Sequence, residues 1–188
     1  MVKLVATLGT SPGGVLETYV NLRSGNYASV DSEYHPAVNV DEVWVIRTSD
    51  PQVEKAWRAL KAVFICCSDL PSQLADMPLK MRDLETPEDY RVFRQEVRSK
   101  LSVGDYVDFT GGRKAMGVAA AVAALDAKAH LVTTTIPQQE YQRISDVLNS
   151  PELSGVLSKD LRSREECSQF RALICSLISK EARTVLVL

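Results

Sequence analysis

The sequence predicts an α/β protein built on a mainly parallel sheet, and three observations carry that expectation. Short β-rich runs alternate with stretches of helical apolar spacing along most of the chain. Glycine-rich turns close two of these runs, one after Leu8 and one after Phe109. The stretch that follows the second turn is rich in alanine, as suits a helix packed closely on a sheet.

Val2 to Leu8 reads as the first strand. A helix from about Gly13 sets Val15, Leu16, Tyr19 and Val20 on one face. Glu42 to Arg47 is the second strand, and Val53, Ala56, Trp57, Leu60, Phe64 and Cys67 follow it at helical spacing. A third strand of weaker signal is expected at Leu79 to Leu84. Thr86-Pro87-Glu88 supplies an N-cap, a proline at the first helical position and an acidic first turn. The helix it opens is expected to bury Tyr90, Phe93, Val97 and Leu101.

Tyr106 to Phe109 is the fourth strand and leads into the alanine-rich helix. His130 to Ile136 is the fifth, followed by a helix from about Gln138. Residues 24–41 are polar and dotted with aromatics, and are expected to form a long exposed loop. Residues 150–166 carry no clear period and read as loop with partial helix. Ala172 to Ser179 and Arg183 to Leu188 are strand-like and predict a C-terminal β-hairpin. The expected division is an α/β domain over 1–150 and a hairpin-bearing extension over 151–188, packed on the same domain.

Composition narrows the function classes. The apolar share of 45% and charged share of 24% are those of an ordinary globular protein. A net charge of −2 supplies no general attraction to nucleic acid, so duplex nucleic acid is not an expected partner. No apolar run nears the ~18 residues of a membrane span. The N-terminal MVKLVATLGT enters a glycine turn instead of a cleavage site, so no signal peptide or membrane contact is expected and the location is expected to be cytoplasmic. Cys66, Cys67, Cys167 and Cys175 form no C-x-x-C pair, and His35 and His130 lie far from them, so the spacing offers no zinc site. Buried thiols are the expected state, with disulfides the alternative for a hyperthermophilic source.

The chemistry concentrates in two loops. Thr110-Gly111-Gly112 ends the fourth strand, and Arg113-Lys114 begin the helix after it. Two cations in a first turn oppose the helix dipole, at a cost of a few tenths to ~1 kcal/mol. A broken local rule marks a candidate functional site. An anion would compensate it, cradled by the glycine amides, the open helix end and the two cations. The second loop, Gly9-Thr10-Ser11-Pro12-Gly13-Gly14, follows the first strand.

In the common strand order 3-2-1-4-5 the first and fourth strands are neighbours, so both loops flank one crevice. Neither loop is a dinucleotide fingerprint or a Walker loop, which disfavours a nicotinamide oxidoreductase or an ATPase. Plain structural roles stay open. Ser11-Pro12 and Ser49-Asp50-Pro51 can cap helices, the glycines can serve a tight turn, Arg113 can pair with a neighbouring carboxylate, and Lys114 can be a surface cation.

GTSPGG after the first strand and D-x-TGGRK-x-M after the fourth resemble the CARF domain, the sensor fold of type III CRISPR systems. Within it, the sequence is most similar to stand-alone archaeal CRISPR ring nucleases. The resemblance runs through MVKLVATLGTSPGG, RTSD, KAWR, GDYVDFTGGRKAM, IPQ and SLISKEAR. The loop at 24–41 is longer than in that family, and no contact is carried over to it.

The resemblance implies a Rossmann-like fold that forms a homodimer and binds cyclic tetraadenylate, a second messenger of antiviral defence. Ring nucleases cleave it and so switch off effector ribonucleases. Carried onto this sequence, the catalytic residues are Ser11, Arg113 and Lys114. Gly9, Thr10, Ser49, Thr110, Gly111, Gly112 and Gln138 are ligand-binding.

The chemistry of these residues suits attack by a ribose 2′-hydroxyl on the adjacent phosphorus, with no cofactor and no metal, because neither a histidine pair nor clustered carboxylates accompany the loops. Linear diadenylates ending in 2′,3′-cyclic phosphate are the expected products, from a C2 dimer that presents two sites to one ring. The alternatives are a CARF sensor that holds the ring without cutting it and a mononucleotide-dependent metabolic enzyme. The absence of an attached effector domain favours turnover over sensing.

Overall fold

The computed structural model describes residues 1–33, 35–68, 73–159 and 161–188. Its strands are β1 (Val2–Thr7), β2 (Tyr27–Ser29), β3 (Val40–Arg47), β4 (Gln73–Pro78), β5 (Tyr106–Asp108), β6 (His130–Thr135) and β7 (Arg183–Leu186). Its helices are α1 (Gly13–Ser24), α2 (Pro51–Cys67), α3 (Pro87–Lys100), α4 (Lys114–Ala127), α5 (Gln138–Leu148), α6 (Pro151–Leu157) and α7 (Arg171–Cys175).

The strands form one seven-stranded sheet in the order β2-β7-β6-β5-β1-β3-β4. The five strands β4-β3-β1-β5-β6 pair in parallel, in the order expected from the sequence. β7 runs antiparallel to β6, and β2 pairs with β7 in parallel. This is a Rossmann-like architecture, and it seats β1 beside β5 with Ala6 opposite Asp108.

Both faces of the sheet are covered, which explains the near-continuous apolar runs in its strands. Leu4, Ala6 and Leu8 pack on one side with Tyr19, Leu60, Leu153 and Ile174. Val5 and Val107 face the other side, against Phe93, Val97 and the helix α4. Ala119, Ala120, Ala123, Ala124 and Ala127 of α4 are buried, and their small size lets that helix sit close to the strands. α3 begins with a capping box in which Thr86 and Asp89 satisfy each other's backbone N–H.

Several sequence expectations need correction. The third strand lies at Gln73–Pro78, and residues 79–84 form a loop instead. Leu79 and Leu84 are buried anchors of that loop, so their apolar signal is not that of a pleat. Val20 and Tyr90 are exposed, at 42% and 39%, although both fit the apolar helical spacing. No C-terminal hairpin forms: residues 171–175 are α7, and only Arg183–Leu186 is a strand. Ile174 and Leu177 are fully buried, so a short helix satisfies the apolar run that resembled a strand.

Residues 24–41 are not wholly exposed loop, because β2 joins the sheet and the buried Tyr27 donates its hydroxyl to the Pro36 carbonyl at 2.9 Å. In 150–166, Ser150 caps α6 by accepting the Leu153 N–H at 3.2 Å. Positions 34 and 160 of these two stretches lie outside the described residues.

The cysteines are paired as Cys66–Cys167 and Cys67–Cys175, not free thiols. The partners stand 101 and 108 positions apart, a separation that leaves no signature in local spacing. Adjacent residues at the end of α2 point in different directions around the helix, so each reaches a different part of the C-terminal segment. Loops of this length make each bond a substantial constraint on the unfolded chain. Replacing Cys66 and Cys167 together by serine is expected to lower the unfolding free energy by roughly 2–5 kcal/mol, read by denaturant titration under oxidising conditions. An unchanged midpoint would show that this bond adds nothing to stability.

Candidate functional site

The loops after β1 and β5 meet backbone to backbone at the carboxyl edge of the sheet. A Cβ added to Gly9 would stand 2.5 Å from the Gly112 nitrogen, and one added to Gly111 would run into the Thr7 carbonyl. Gly112 also adopts φ +87°, a conformation that costs glycine nothing. Three hydrogen bonds fix the turn from below. The Thr7 hydroxyl donates to the Gly111 carbonyl at 2.5 Å. The Thr110 N–H donates to Asp108 Oδ1 at 2.8 Å. The Thr134 N–H donates to the Thr110 hydroxyl at 2.7 Å.

A cleft of about 330 Å³ opens above this contact. Gly9, Thr10 and Ser11 line one side, and Thr110, Gly111, Gly112 and Arg113 line the other. Asp50 and Gln52 at the start of α2, Arg82 and Asp83 in the loop before α3, and Tyr141 of α5 also line it.

Ser11 does not cap α1. Pro12 occupies the cap position, and the cap makes no side-chain hydrogen bond among the described residues. Ser11 is half-buried at the cleft wall, so capping does not account for it. Arg113 is the N-cap residue of α4 and is ion-paired with Asp83 and, at 3.8 Å, with Asp50. Its charge at the positive end of the helix is therefore not uncompensated: two carboxylates stand where an anion was expected. Both are themselves held, Asp83 by the Leu84 N–H and Asp50 by the Gln52 N–H, each at 2.8 Å.

Lys114 is the first residue of α4, exposed, and makes no ion pair among the described residues. It is not part of the cleft wall, and neither are Ser49 or Gln138. Ser49 uses its backbone N–H to hold the Met81 carbonyl at 2.8 Å, and Gln138 begins α5 on the surface. Asp50, Gln52, Arg82, Asp83 and Tyr141 belong to the cleft, and the last four were not singled out in the sequence. Their one sequence signal is position: a polar pair between buried Leu79 and Leu84, and an aromatic in the first turn of a helix after a carboxyl-edge loop.

Beneath the loops lies a buried polar layer. The hydroxyls of Thr18, Thr134 and Thr184 are linked in series at 2.6 Å, and Asn21 donates to Thr184 at 3.0 Å. Burial pushes the Glu17 carboxyl up to about 7, although the Ser179 N–H donates to it at 2.5 Å. Elsewhere Arg47 is occupied structurally, with Asp76 at 2.7 Å and Glu54 at 2.6 Å.

The cleft can hold a phosphate-type anion on amides, hydroxyls and guanidinium groups. Among the described residues no cluster of three or more His, Cys, Asp or Glu is arranged to hold a metal ion, and no helix is long and apolar enough to cross a membrane.

No family model matches the chain. A CRISPR system ring nuclease of Saccharolobus solfataricus is 40% identical over 190 residues, covering 98% of each chain. Among solved structures, Enterococcus italicus Csm6 bound to cyclic hexa-2′-fluoro-hexa-dAMP is similar with TM-score 0.51 and 12% identity. That match covers 98% of this chain and 42% of Csm6, and it marks a shared fold. Can2 from Sulfobacillus thermosulfidooxidans, in complex with cyclic tetra-adenylate, matches with TM-score 0.44 and 12% identity, over 70% of this chain and 30% of its own. The present chain thus spans less than half of either solved chain.

The buried Glu17 makes a stability prediction. Its folded pKa of about 7 lies above the ordinary 4.5, so the stability it confers is complete below about pH 4.5 and is lost as pH rises toward 7. The slope reaches at most roughly 1.4 kcal/mol per pH unit. Glu17→Gln is expected to flatten that loss in denaturant titrations at about pH 5 and pH 7.5. An identical difference in wild type and variant would assign the loss to other groups.

Proposed function

The chain belongs to the CRISPR ring nuclease family, and we propose that it binds cyclic tetraadenylate in the cleft between the two loops and cleaves the ring there. The observation that carries this reading is the direct contact of Gly9 with Gly112, which brings Ser11, free of a capping role, and the Gly111–Gly112 turn to one cleft. A phosphodiester seated on that turn has a hydroxyl on one side and a guanidinium on the other.

The proposed reaction uses the ring's own 2′-hydroxyl. Its oxygen forms a bond to the adjacent phosphorus as the bond from phosphorus to the 5′-oxygen breaks. The 2′-hydroxyl gives up its proton, and the departing 5′-oxygen takes one. The product ends in a 2′,3′-cyclic phosphate and a free 5′-hydroxyl, and two such cuts give two linear diadenylates.

Ser11 orients the attacking hydroxyl or the phosphate by hydrogen bonding. Arg113, anchored by Asp83 and Asp50, supplies a positioned donor to the phosphoryl oxygens, which costs little reorganisation in the transition state. Lys114, one residue on, is close enough along the chain to neutralise the leaving oxygen. Such chemistry needs neither metal nor cofactor. A C2 homodimer suits a ring of four identical nucleotides, and the exposed Val118 and Leu125 of α4 offer it apolar surface on the helix that Lys114 begins.

One assay tests the proposal: cyclic tetraadenylate is incubated with the protein in excess EDTA and the products are resolved. Diadenylates with 2′,3′-cyclic ends are expected. Loss of cleavage with EDTA would rule out the metal-free route, and a bound but intact ring would leave a sensor. Lys114→Ala and Ser11→Ala are each expected to slow single-turnover cleavage ~10²-fold or more. Their unfolding midpoints should stay near wild type, Lys114 being exposed. Unchanged rates in both variants would remove these residues from the mechanism.

A further inference from the structure

Asp108 ends β5 directly under the TGG turn, and the mechanism above does not use it. Its side chain is fully buried. One oxygen, Oδ1, accepts the Thr110 N–H at 2.8 Å. The other, Oδ2, is among the described residues the buried side-chain oxygen without a hydrogen-bond partner. No cation pairs with it among the described residues.

The groups that face it from neighbouring elements are neutral or acidic. β1 brings Thr7, whose hydroxyl is turned to the backbone carbonyls of Gly111 and Asp108. α1 brings Thr18 and Glu17, and Thr18 is bonded to Thr134 of β6, which is bonded in turn to Thr184 of β7. Glu140 and Arg143 of α5 pair with each other at 2.8 Å and act on Glu17. On its own side of the loop, Arg113 is engaged by Asp83 and Asp50.

A buried carboxylate with an orphaned oxygen is costly to keep ionised, and native proteins seldom retain one without a role. Its position supplies the role. The turn it holds lines the cleft, so a phosphate docked there adds negative charge over an ionised Asp108. Two like charges separated by one turn of backbone, in a dry interior, disfavour each other strongly. A proton on Asp108 removes the conflict and gives Oδ2 a hydrogen to donate.

We infer that Asp108 is a positioning residue that takes up a proton when a phosphodiester docks on the TGG turn, so that ligand affinity is linked to pH through it. The inference rests on the function proposed above. Burial already pushes the Asp108 carboxyl up to about 6, against the hydrogen bonds of the Thr110 N–H and of the Thr110 and Thr18 hydroxyls, which act to lower it. At about pH 8 the free protein therefore holds it ionised, and docking must supply the proton. Affinity accordingly tightens as pH falls from about 8 toward 6, by up to about tenfold per pH unit, and levels off below that.

The experiment measures binding of the 2′-fluoro analogue of cyclic tetraadenylate, whose 2′ position cannot attack, from about pH 5.5 to 8. Wild type, Asp108→Asn and Glu17→Gln are compared. The asparagine keeps an acceptor for the Thr110 N–H but cannot ionise. Asp108→Asn is expected to bind more tightly than wild type at pH 8 and to lose most of the pH slope, while Glu17→Gln retains the slope. Calorimetry of the wild type at pH 7.5 in buffers of different ionisation heat is expected to show proton uptake on binding. A slope in Asp108→Asn equal to that of wild type overturns the inference, as does weaker binding by a folded Asp108→Asn at every pH. If that variant does not fold, absence of proton uptake by wild type overturns it alone. Failure of the wild type to bind the ring at any pH overturns the proposed function, and this inference with it.

Discussion

Everything at the carboxyl edge depends on the direct backbone contact between the loop after β1 and the loop after β5. A single methyl group at Gly9 or Gly111 would push these loops apart. The parallel pairing of β1 with β5 brings the loops to the same edge, but pairing alone leaves them at strand spacing. Only glycine lets one loop's backbone rest on the other. That closeness makes one site from two motifs separated by about a hundred residues. It also places the buried threonines under the turn, where Thr7 holds the Gly111 carbonyl and Thr134 holds the Thr110 hydroxyl.

The electrostatics of the cleft are built against the simplest expectation. Of the two roles the sequence leaves open for Arg113, an anion ligand or a partner to a neighbouring carboxylate, the structure shows the second: it bridges Asp83 and Asp50, from the loops at the starts of α3 and α2. The pairing has two consequences in the absence of any ligand. It offsets the unfavourable position of a cation at a helix N-terminus. It also ties the loops after β3 and β4 to the TGG turn, so that three carboxyl-edge loops share one side chain. Such exposed pairs contribute little stability on their own. Their value here is geometric, since they restrict where the guanidinium can lie.

How much was legible in the sequence follows from how local each signal is. Four of the five parallel strands, the sheet order and the two glycine loops were readable because alternation, turn residues and capping act over a few positions. The loop at 79–84 misled because buried Leu79 and Leu84 carry the apolar signature of a strand while anchoring a loop. Residues 172–179 misled for the same reason, their apolar run serving a short helix over the core. Asp83 and Tyr141 could not be assigned to the cleft from the sequence, since only the fold brings their segments to it. The cysteine pairing was invisible because its partners lie more than a hundred positions apart, beyond any local spacing. Ser11 was ambiguous in sequence, a cap or a ligand, and the observed Pro12 cap removes one of those options.

The two disulfides have a topological effect apart from stability. Cys66 joins Cys167 and Cys67 joins Cys175, so every peptide bond between Cys67 and Cys167 lies inside a covalently closed loop. That loop contains the whole Thr110–Lys114 segment. A single proteolytic cut anywhere within it leaves the two fragments bonded to each other, with the fragment bearing Ser11 still tethered to the one bearing the C-terminal strand. Damage that would separate the two halves of the cleft in a reduced chain becomes a nick in an otherwise connected molecule.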